Sequence, residues 1–269
     1  MKPYQKPAIW IDTDNALGSP RGDVDDAFAL SIARSLKVDL VTASFGNTSG
    51  ERSFQNCRTQ FDLLRWDVPL FPGAVGPARP TDLNDRVQPK MVCLALGPLT
   101  QVASHLRRNE KVFERIIVVG GRPDSRGLFH PYWPHEFNFV QDIASTRVVF
   151  DSDERLFLVA LDQAERLSIG IRELDEISGI HPWLTRQSRR WLVRNMILKL
   201  RPRLILWDVV AVLSETHPQL FDWKPSRVTC DHAARVRTSE AGREIMRLVD
   251  FDVDRARAAF MDELRSSVR

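Results

Sequence analysis

The sequence predicts an α/β fold, an open and mostly parallel sheet flanked by helices, on two observations. Short apolar runs rich in β-branched residues alternate with stretches of helical spacing. The polar and glycine residues that could do chemistry cluster directly after those runs, and in parallel sheets ligands bind outside the carboxyl ends of the strands.

The strand runs are Ala8 to Ile11, Asp39 to Phe45, Val68 to Phe71, Met91 to Leu96, Ile116 to Val119 and Leu156 to Leu161. Helices are expected over Asp25 to Ser35, Glu51 to Arg65, Thr100 to Arg108 and Ile143 to Phe150. This alternation implies parallel βαβ units with helices on both faces. From Ile171 the pattern becomes helical and Arg-rich, so a helical insertion or cap is expected over about 171–203, and Asp252 to Arg265 reads as a closing surface helix. With 269 residues and no Ser/Gly/Pro-rich linker, a single domain over 1–269 is expected.

The balance of 38 basic against 35 acidic residues leaves +3, and the basic residues are scattered, as at Arg107-Arg108 and Arg189-Arg190, which gives little case for a nucleic-acid partner. The start, MKPYQKPAIW, has no apolar targeting core. No later run reaches the about 18 uncharged apolar residues a membrane span needs. A soluble, cytoplasmic protein without a membrane partner is the expectation. Cys57, Cys93 and Cys230 are isolated, odd in number and without CxxC spacing, and so read as reduced thiols.

Chemistry concentrates in Asp12-Thr13-Asp14-Asn15-Ala16-Leu17-Gly18-Ser19-Pro20-Arg21-Gly22-Asp23-Val24-Asp25-Asp26, five carboxylates in fifteen residues after the first apolar run. Carboxylates gathered at the dry end of a sheet either protonate or share a cation. All-oxygen ligands without paired His or Cys favour a hard ion, Ca²⁺ or Mg²⁺. Any one of these acids could instead cap a turn or helix. Asp208 stands inside the apolar run Leu204 to Leu213; a buried charge there needs a partner or a proton. The segment His130-Pro131-Tyr132-Trp133-Pro134-His135-Glu136-Phe137-Asn138 mixes rings with polar tips. It is either a packed surface loop or a place to bind a sugar and a flat ring.

In these residues the sequence resembles the inosine-uridine preferring nucleoside hydrolases. The matching elements are Asp12-Thr13-Asp14, Asp25-Asp26-Ala27-Phe28-Ala29-Leu30, Gly46-Asn47, Gly97-Pro98-Leu99-Thr100, Gly120-Gly121, Glu136-Phe137-Asn138 and Asp208, in family order. The resemblance implies a Rossmann-like open sheet with Ca²⁺ at its carboxyl edge, held by Asp14, Asp26, the Thr100 carbonyl and Asp208 together with the ribose 2′- and 3′-hydroxyls. It further implies that Asp25, Asn138 and Asn47 grip ribose or orient the water and that Glu136 meets the 5′-hydroxyl. Asp14 would act as general base on a water that attacks the anomeric carbon of a nucleoside, through an oxocarbenium-like state.

Three departures from the family pattern stand out. Asp14 and Asp25 lie eleven residues apart, not the usual four, which is a seven-residue insertion rich in Gly and Pro. Trp207 occupies the position before the late Asp, where His is common; indole cannot protonate a leaving base. Help would then come from stacking on Trp207, Trp133 or Tyr132, from His130 or His135, or from the substrate, which favours a purine. His130 stands where the family commonly has Asn, leaving the 5′ group open. Two other readings remain: a calcium-dependent nucleoside- or ribose-binding protein without turnover, and a haloacid dehalogenase-like phosphatase with Asp12 as nucleophile and Asp14 as general acid. A homo-oligomer is left open.

Overall fold

The structure, a computed structural model, describes residues 7–19, 22–83, 85–108, 113–123, 136–199 and 203–267. The first half alternates strand and helix: β1 (Ile9–Thr13), α1 (Asp25–Ala33), β2 (Val38–Ala43), α2 (Gly50–Leu64), β3 (Leu70–Pro72), β4 (Met91–Ala95), α3 (Thr100–Leu106) and β5 (Phe113–Val119). There follow α4 (Phe137–Gln141), α5 (Ile143–Asp151), β6 (Leu156–Val159), α6 (Leu161–Ala164), β7 (Ser168–Ile169), α7 (Ile171–Glu176), α8 (Pro182–Lys199), β8 (Leu204–Ile205) and α9 (Trp207–Thr216). The chain closes with β9 (Phe221–Cys230), β10 (Val236–Thr238), β11 (Arg243–Phe251) and α10 (Val253–Ser266).

Nine strands form one sheet in the order β10-β9-β11-β6-β5-β4-β1-β2-β3. Pairing is parallel from β11 through β3; the antiparallel pairs are β11–β9 and β9–β10, so β9 alone runs against the rest. The central strands read as unbroken apolar runs because both faces are covered. Ile9, Ile11, Val41, Leu94 and Ile117 join one core with α1, α2, α9 and α10, whereas Trp10, Leu40, Cys93, Ile116 and Val118 join another with α3 and α5. β1 lies between β4 and β2, with Asp12 paired to Ala95 and Thr42, so the acidic segment leaves from an interior strand, third from the β3 edge of the sheet.

The open, mostly parallel sheet agrees with the sequence reading, and α7 and α8 occupy the stretch expected as a helical cap. Residues 221–251 do not: they form three strands that the sequence reading left unassigned. β9 is exposed over much of its length and carries Lys224, Pro225 and Arg227, so the hydrophobic alternation that marks a strand is diluted there. The apolar run around Asp208 also splits, with Leu204–Ile205 in a two-residue strand and Asp208 in the first turn of α9.

The C-terminal helix locks this arrangement. Asp252 caps α10 by accepting from the Arg255 amide at 3.1 Å, and Phe260 is fully buried with its ring 5.8 Å edge-on from Phe28 of α1. Arg34 donates to the Ser267 carbonyl, and His181 Nε2 meets the Leu264 carbonyl at 2.9 Å. Phe260→Ala is expected to cost about 3–5 kcal/mol through lost burial and an unfilled cavity; denaturant unfolding followed by fluorescence measures it, and a loss under about 1 kcal/mol would mean that α10 does not seal the core.

Candidate active site

Each acid of the opening segment has its own environment. Asp12 is fully buried; its Oδ1 accepts from the Thr42 hydroxyl at 2.6 Å and the Ser44 hydroxyl at 2.7 Å, and Trp10 Nε1 donates to Thr42 Oγ1 at 2.8 Å. Burial pushes the Asp12 carboxyl up to about 7 despite those two bonds. Held inside the sheet, Asp12 is a brace between β1 and the end of β2. Its other oxygen, Oδ2, is buried with no hydrogen-bond partner among the described residues.

Asp14 lies just past β1. Its Oδ2 accepts from the Asn47 amide at 2.5 Å, while its Oδ1 is buried with no hydrogen-bond partner among the described residues. The glycines of two sequence motifs exist to admit this side chain. A Cβ at Gly46 would stand 2.0 Å from Asp14 Oδ2, and one at Gly97 would meet Asp14 at 3.2 Å.

Asp25 and Asp26 occupy the first turn of α1, and Asp208 the first turn of α9. Each offers a carboxylate oxygen within 4.8 Å of the others, and all three are buried. Thr13 donates its hydroxyl to Asp26 Oδ1. Two helix N-termini therefore point their free amides at one pool of negative charge, which is the favourable polarity. It is not enough: burial first, then repulsion among neighbouring acids, drives Asp14, Asp25 and Asp208 well above the usual carboxylate range, and burial with Asp23 raises Asp26 to about 7.

The insertion does not pull these acids apart. Ser19 donates its amide to the Ala16 carbonyl at 2.8 Å and Gly22 to the Ser19 carbonyl at 3.2 Å. A Cβ at Gly22 would stand 2.5 Å from that of Ala16, so the two ends of the inserted stretch touch. Without residues 16–22, Asp14 and Asp25 would be four apart. The insertion is a pinched loop hung on an otherwise ordinary turn.

Asn138 Nδ2 donates to the Leu96 carbonyl at 2.8 Å, leaving its buried Oδ1 without a partner among the described residues. Glu136 caps α4, accepting from the amides of Asn138 at 2.9 Å and Phe139 at 2.5 Å; burial raises it to about 7. Gly120, at φ +150°, leaves room for the Phe139 ring, which a Cβ would approach to 2.7 Å. Thr100 heads α3 and donates its hydroxyl to Asp142 Oδ2 at 2.6 Å. Trp207 is the first residue of α9, partly buried, with a buried Nε1 that has no partner among the described residues. His130, Tyr132, Trp133 and His135 lie outside the described residues.

Sequence reasoning missed Asp142. Its Oδ2 accepts from Thr100, from the Ala78 amide at 2.9 Å and from the Ser145 hydroxyl at 2.8 Å, and its Oδ1 from the Ser145 amide at 3.0 Å. Burial pushes its pKa up, but these bonds outweigh that and hold it below the usual value. The available signal was Asp three residues before Ser at the head of α5, a helix-capping pattern.

A hard cation fits this site. The donors are oxygen only, the charges acting most on the acids are one another, and Asp14 Oδ1 and Asn138 Oδ1 are buried acceptors without donors among the described residues.

The family model of the inosine-uridine preferring nucleoside hydrolase matches residues 9–263. The chain belongs to that family. A curated member, the pyrimidine-specific ribonucleoside hydrolase RihA of Escherichia coli O9:H4 (strain HS), is 26% identical over 200 residues, 58% of this chain and 63% of that protein. RihA of Salmonella paratyphi C (strain RKS4594) is 27% identical over the same shares. The match thus spans just under two thirds of these relatives' length. Solved nucleoside hydrolases share the fold: a purine-preferring ribonucleoside hydrolase from Gardnerella vaginalis (17% identity, TM-score 0.83) and a plant nucleoside hydrolase (16%, 0.82), each covering 97% of this chain and 99% of the other. The inosine-uridine preferring hydrolase of Bacillus anthracis follows at 16% identity and a TM-score of 0.74, covering 98% of this chain. Among the described residues no helix is long and apolar enough to cross a membrane.

The raised acids set a pH dependence. A carboxyl whose folded pKa lies above its unfolded one makes the native state bind more protons, so stability falls as pH rises from the unfolded value through the folded one. With Asp12 and Asp26 near 7, the metal-free protein should lose thermal stability between about pH 4 and pH 7, and saturating Ca²⁺ should flatten that slope. Melting curves in chelator and in Ca²⁺ test this; identical slopes would show that the cation does not meet these carboxylates.

Proposed function

We propose that this chain hydrolyses the N-glycosidic bond of a ribonucleoside, giving ribose and free base, with Ca²⁺ as its metal and a purine as the preferred base. The observation that carries this reading is the buried all-carboxylate cluster with an unpartnered Asp14 Oδ1 at the carboxyl edge of the sheet.

Asp14, Asp26 and Asp208 would hold the ion, with a main-chain carbonyl of the β4–α3 turn, either that of Thr100 implied by the family resemblance or that of Leu96 beside Asn138. When bound, the ion supplies Lewis-acid lowering of a water pKa and a grip on vicinal hydroxyls. The chain does the rest. Asn47 holds Asp14 by one oxygen, which leaves the other to take the proton of the attacking water as general base. Water adds to the anomeric carbon as the bond to the base nitrogen breaks, and the fixed negative charge of Asp25 and its neighbours favours the oxocarbenium-like state. Asp25, Asn47 and Asn138 orient ribose, and Glu136 meets the 5′ end.

The base is argued from Trp207. An indole cannot protonate a leaving group, yet it can stack on a flat ring and donate one hydrogen bond, and its Nε1 has no partner among the described residues. Tyr132, Trp133 and His135, which the sequence offers for the base, lie outside the described residues. A purine, which has ring nitrogens that accept a proton readily, needs the least help. The names of the relatives divide between pyrimidine-specific and purine-preferring, so the residues carry the choice.

Base release from a panel of purine and pyrimidine nucleosides, with Ca²⁺ and with chelator, decides. The expected outcome is calcium-dependent purine release that falls roughly 10³-fold in Asp14→Asn. Calcium-dependent ribose binding without release of any base would instead establish a binding protein.

A further inference from the structure

The pinched loop raises a question of mechanics. A short turn would fix Asp14 relative to Asp25 and Asp26 through the chain itself. Here seven additional residues intervene; their feet meet at Ala16 and Gly22, a contact that involves neither Asp14 nor Asp26.

A buried polar network joins the two sides by another route. Asn15, directly after Asp14, donates its Nδ2 to Gln60 Oε1 of α2 at 2.9 Å. Gln60 Nε2 donates in turn to the Ala27 carbonyl at 2.6 Å, directly after Asp26, and to the Ser31 hydroxyl at 3.0 Å. Ser31 closes the circuit by donating to the same carbonyl at 2.8 Å. On the loop side, Asn15 Oδ1 accepts from the Leu17 amide at 3.1 Å and the Asn15 carbonyl accepts from Asn56 Nδ2 at 2.9 Å. Asn15, Gln60, Ser31 and Ala27 are all at most 2% exposed.

The placement is unusual for α2. Its buried stripe is Gly50, Ser53, Cys57, Gln60, Phe61 and Leu64, and a long amide in such a stripe is costly unless its groups are paired. Gln60 meets that condition at both ends, and each end lands next to a carboxylate of the site. Asp14 and Asp26 are twelve residues apart along the chain but only two hydrogen bonds apart through Gln60, counted from their immediate neighbours.

We propose that Gln60, through Asn15 and the Ala27 carbonyl, is a positioning residue that, together with the direct Thr13–Asp26 hydrogen bond, holds the segment carrying Asp14 against the head of α1, which carries Asp26. This rests on the metal reading given under Proposed function. Gln60 touches neither ion nor substrate; it acts by holding the segments that carry their ligands.

The test is calcium affinity by calorimetry, repeated with Tb³⁺ luminescence, on the full chain. Gln60→Met keeps length and apolar volume and removes both hydrogen bonds; Asn15→Ser breaks the same link from the other end and serves if the first variant does not fold. Val228→Ala in β9, five strands away from β1 in the sheet order, supplies a matched loss of packing. Loss of an outer partner of a metal site typically costs about 10–100-fold in affinity. The expected result is at least a roughly ten-fold loss of affinity in Gln60→Met, with Val228→Ala within about two-fold of wild type once thermal stability of the calcium-free proteins is compared. Affinity unchanged, or reduced no more than in Val228→Ala, overturns the proposal. A wild type that binds neither ion defeats the metal reading itself, an outcome distinct from the other two.

Discussion

The repulsion among Asp14, Asp25, Asp26 and Asp208 is the constraint on which the rest of the structure depends. Three carboxylates removed from water and set within 4.8 Å of one another, with the charge of Asp14 acting on them, would each protonate or drive the segments apart unless something holds them. The fold supplies that hold by several means. Two helices start at the acids and turn their amides toward them, Thr13 and Asn47 bond two of them from behind, and two glycines remove the Cβ atoms that would displace Asp14. What remains is uncompensated negative charge, and that is the property a divalent cation and an electron-poor sugar ring both seek.

The sheet makes this tolerable. β1 delivers the acids from the sheet's interior, where neighbours on both sides and a core on each face leave the strand no freedom to recoil. Asp12 extends the same logic inward, since its two hydroxyl partners on and beyond β2 fix the strand ends at the very place where the acids diverge. A helical shell would yield to such repulsion by sliding; a parallel ladder of hydrogen bonds cannot slide without breaking in register.

Much of this was legible in the amino-acid sequence. Apolar runs followed by Asp, Gly or Asn located the carboxyl edge, and Asp208 stood out because nothing apolar explains an acid among nine apolar neighbours. What escaped was of two kinds. β9 to β11 escaped because strands near a sheet's edge carry charge at positions that an interior strand fills with Val or Ile. Asp142 and Gln60 escaped because a helix-capping Asp signals only the cap and a single Gln in a helix has no pattern of its own; only the partners 42 and 45 positions away, Thr100 and Asn15, show what else they do. The insertion was visible as a count of residues, but its innocence toward the acid geometry was not, since that depends on one contact between Ala16 and Gly22.

That contact has a consequence for how such a chain can change over generations. Where the two feet of a loop stand against each other, the span between them is mechanically insulated, and chain-closure entropy rises only slowly with added length. Sequence can accumulate above the feet while the contact at the feet and the Gln60 network hold the acids below. The exposed part of that span, at Gly18, thereby becomes a region free to diverge, while Leu17 beside it stays in the core.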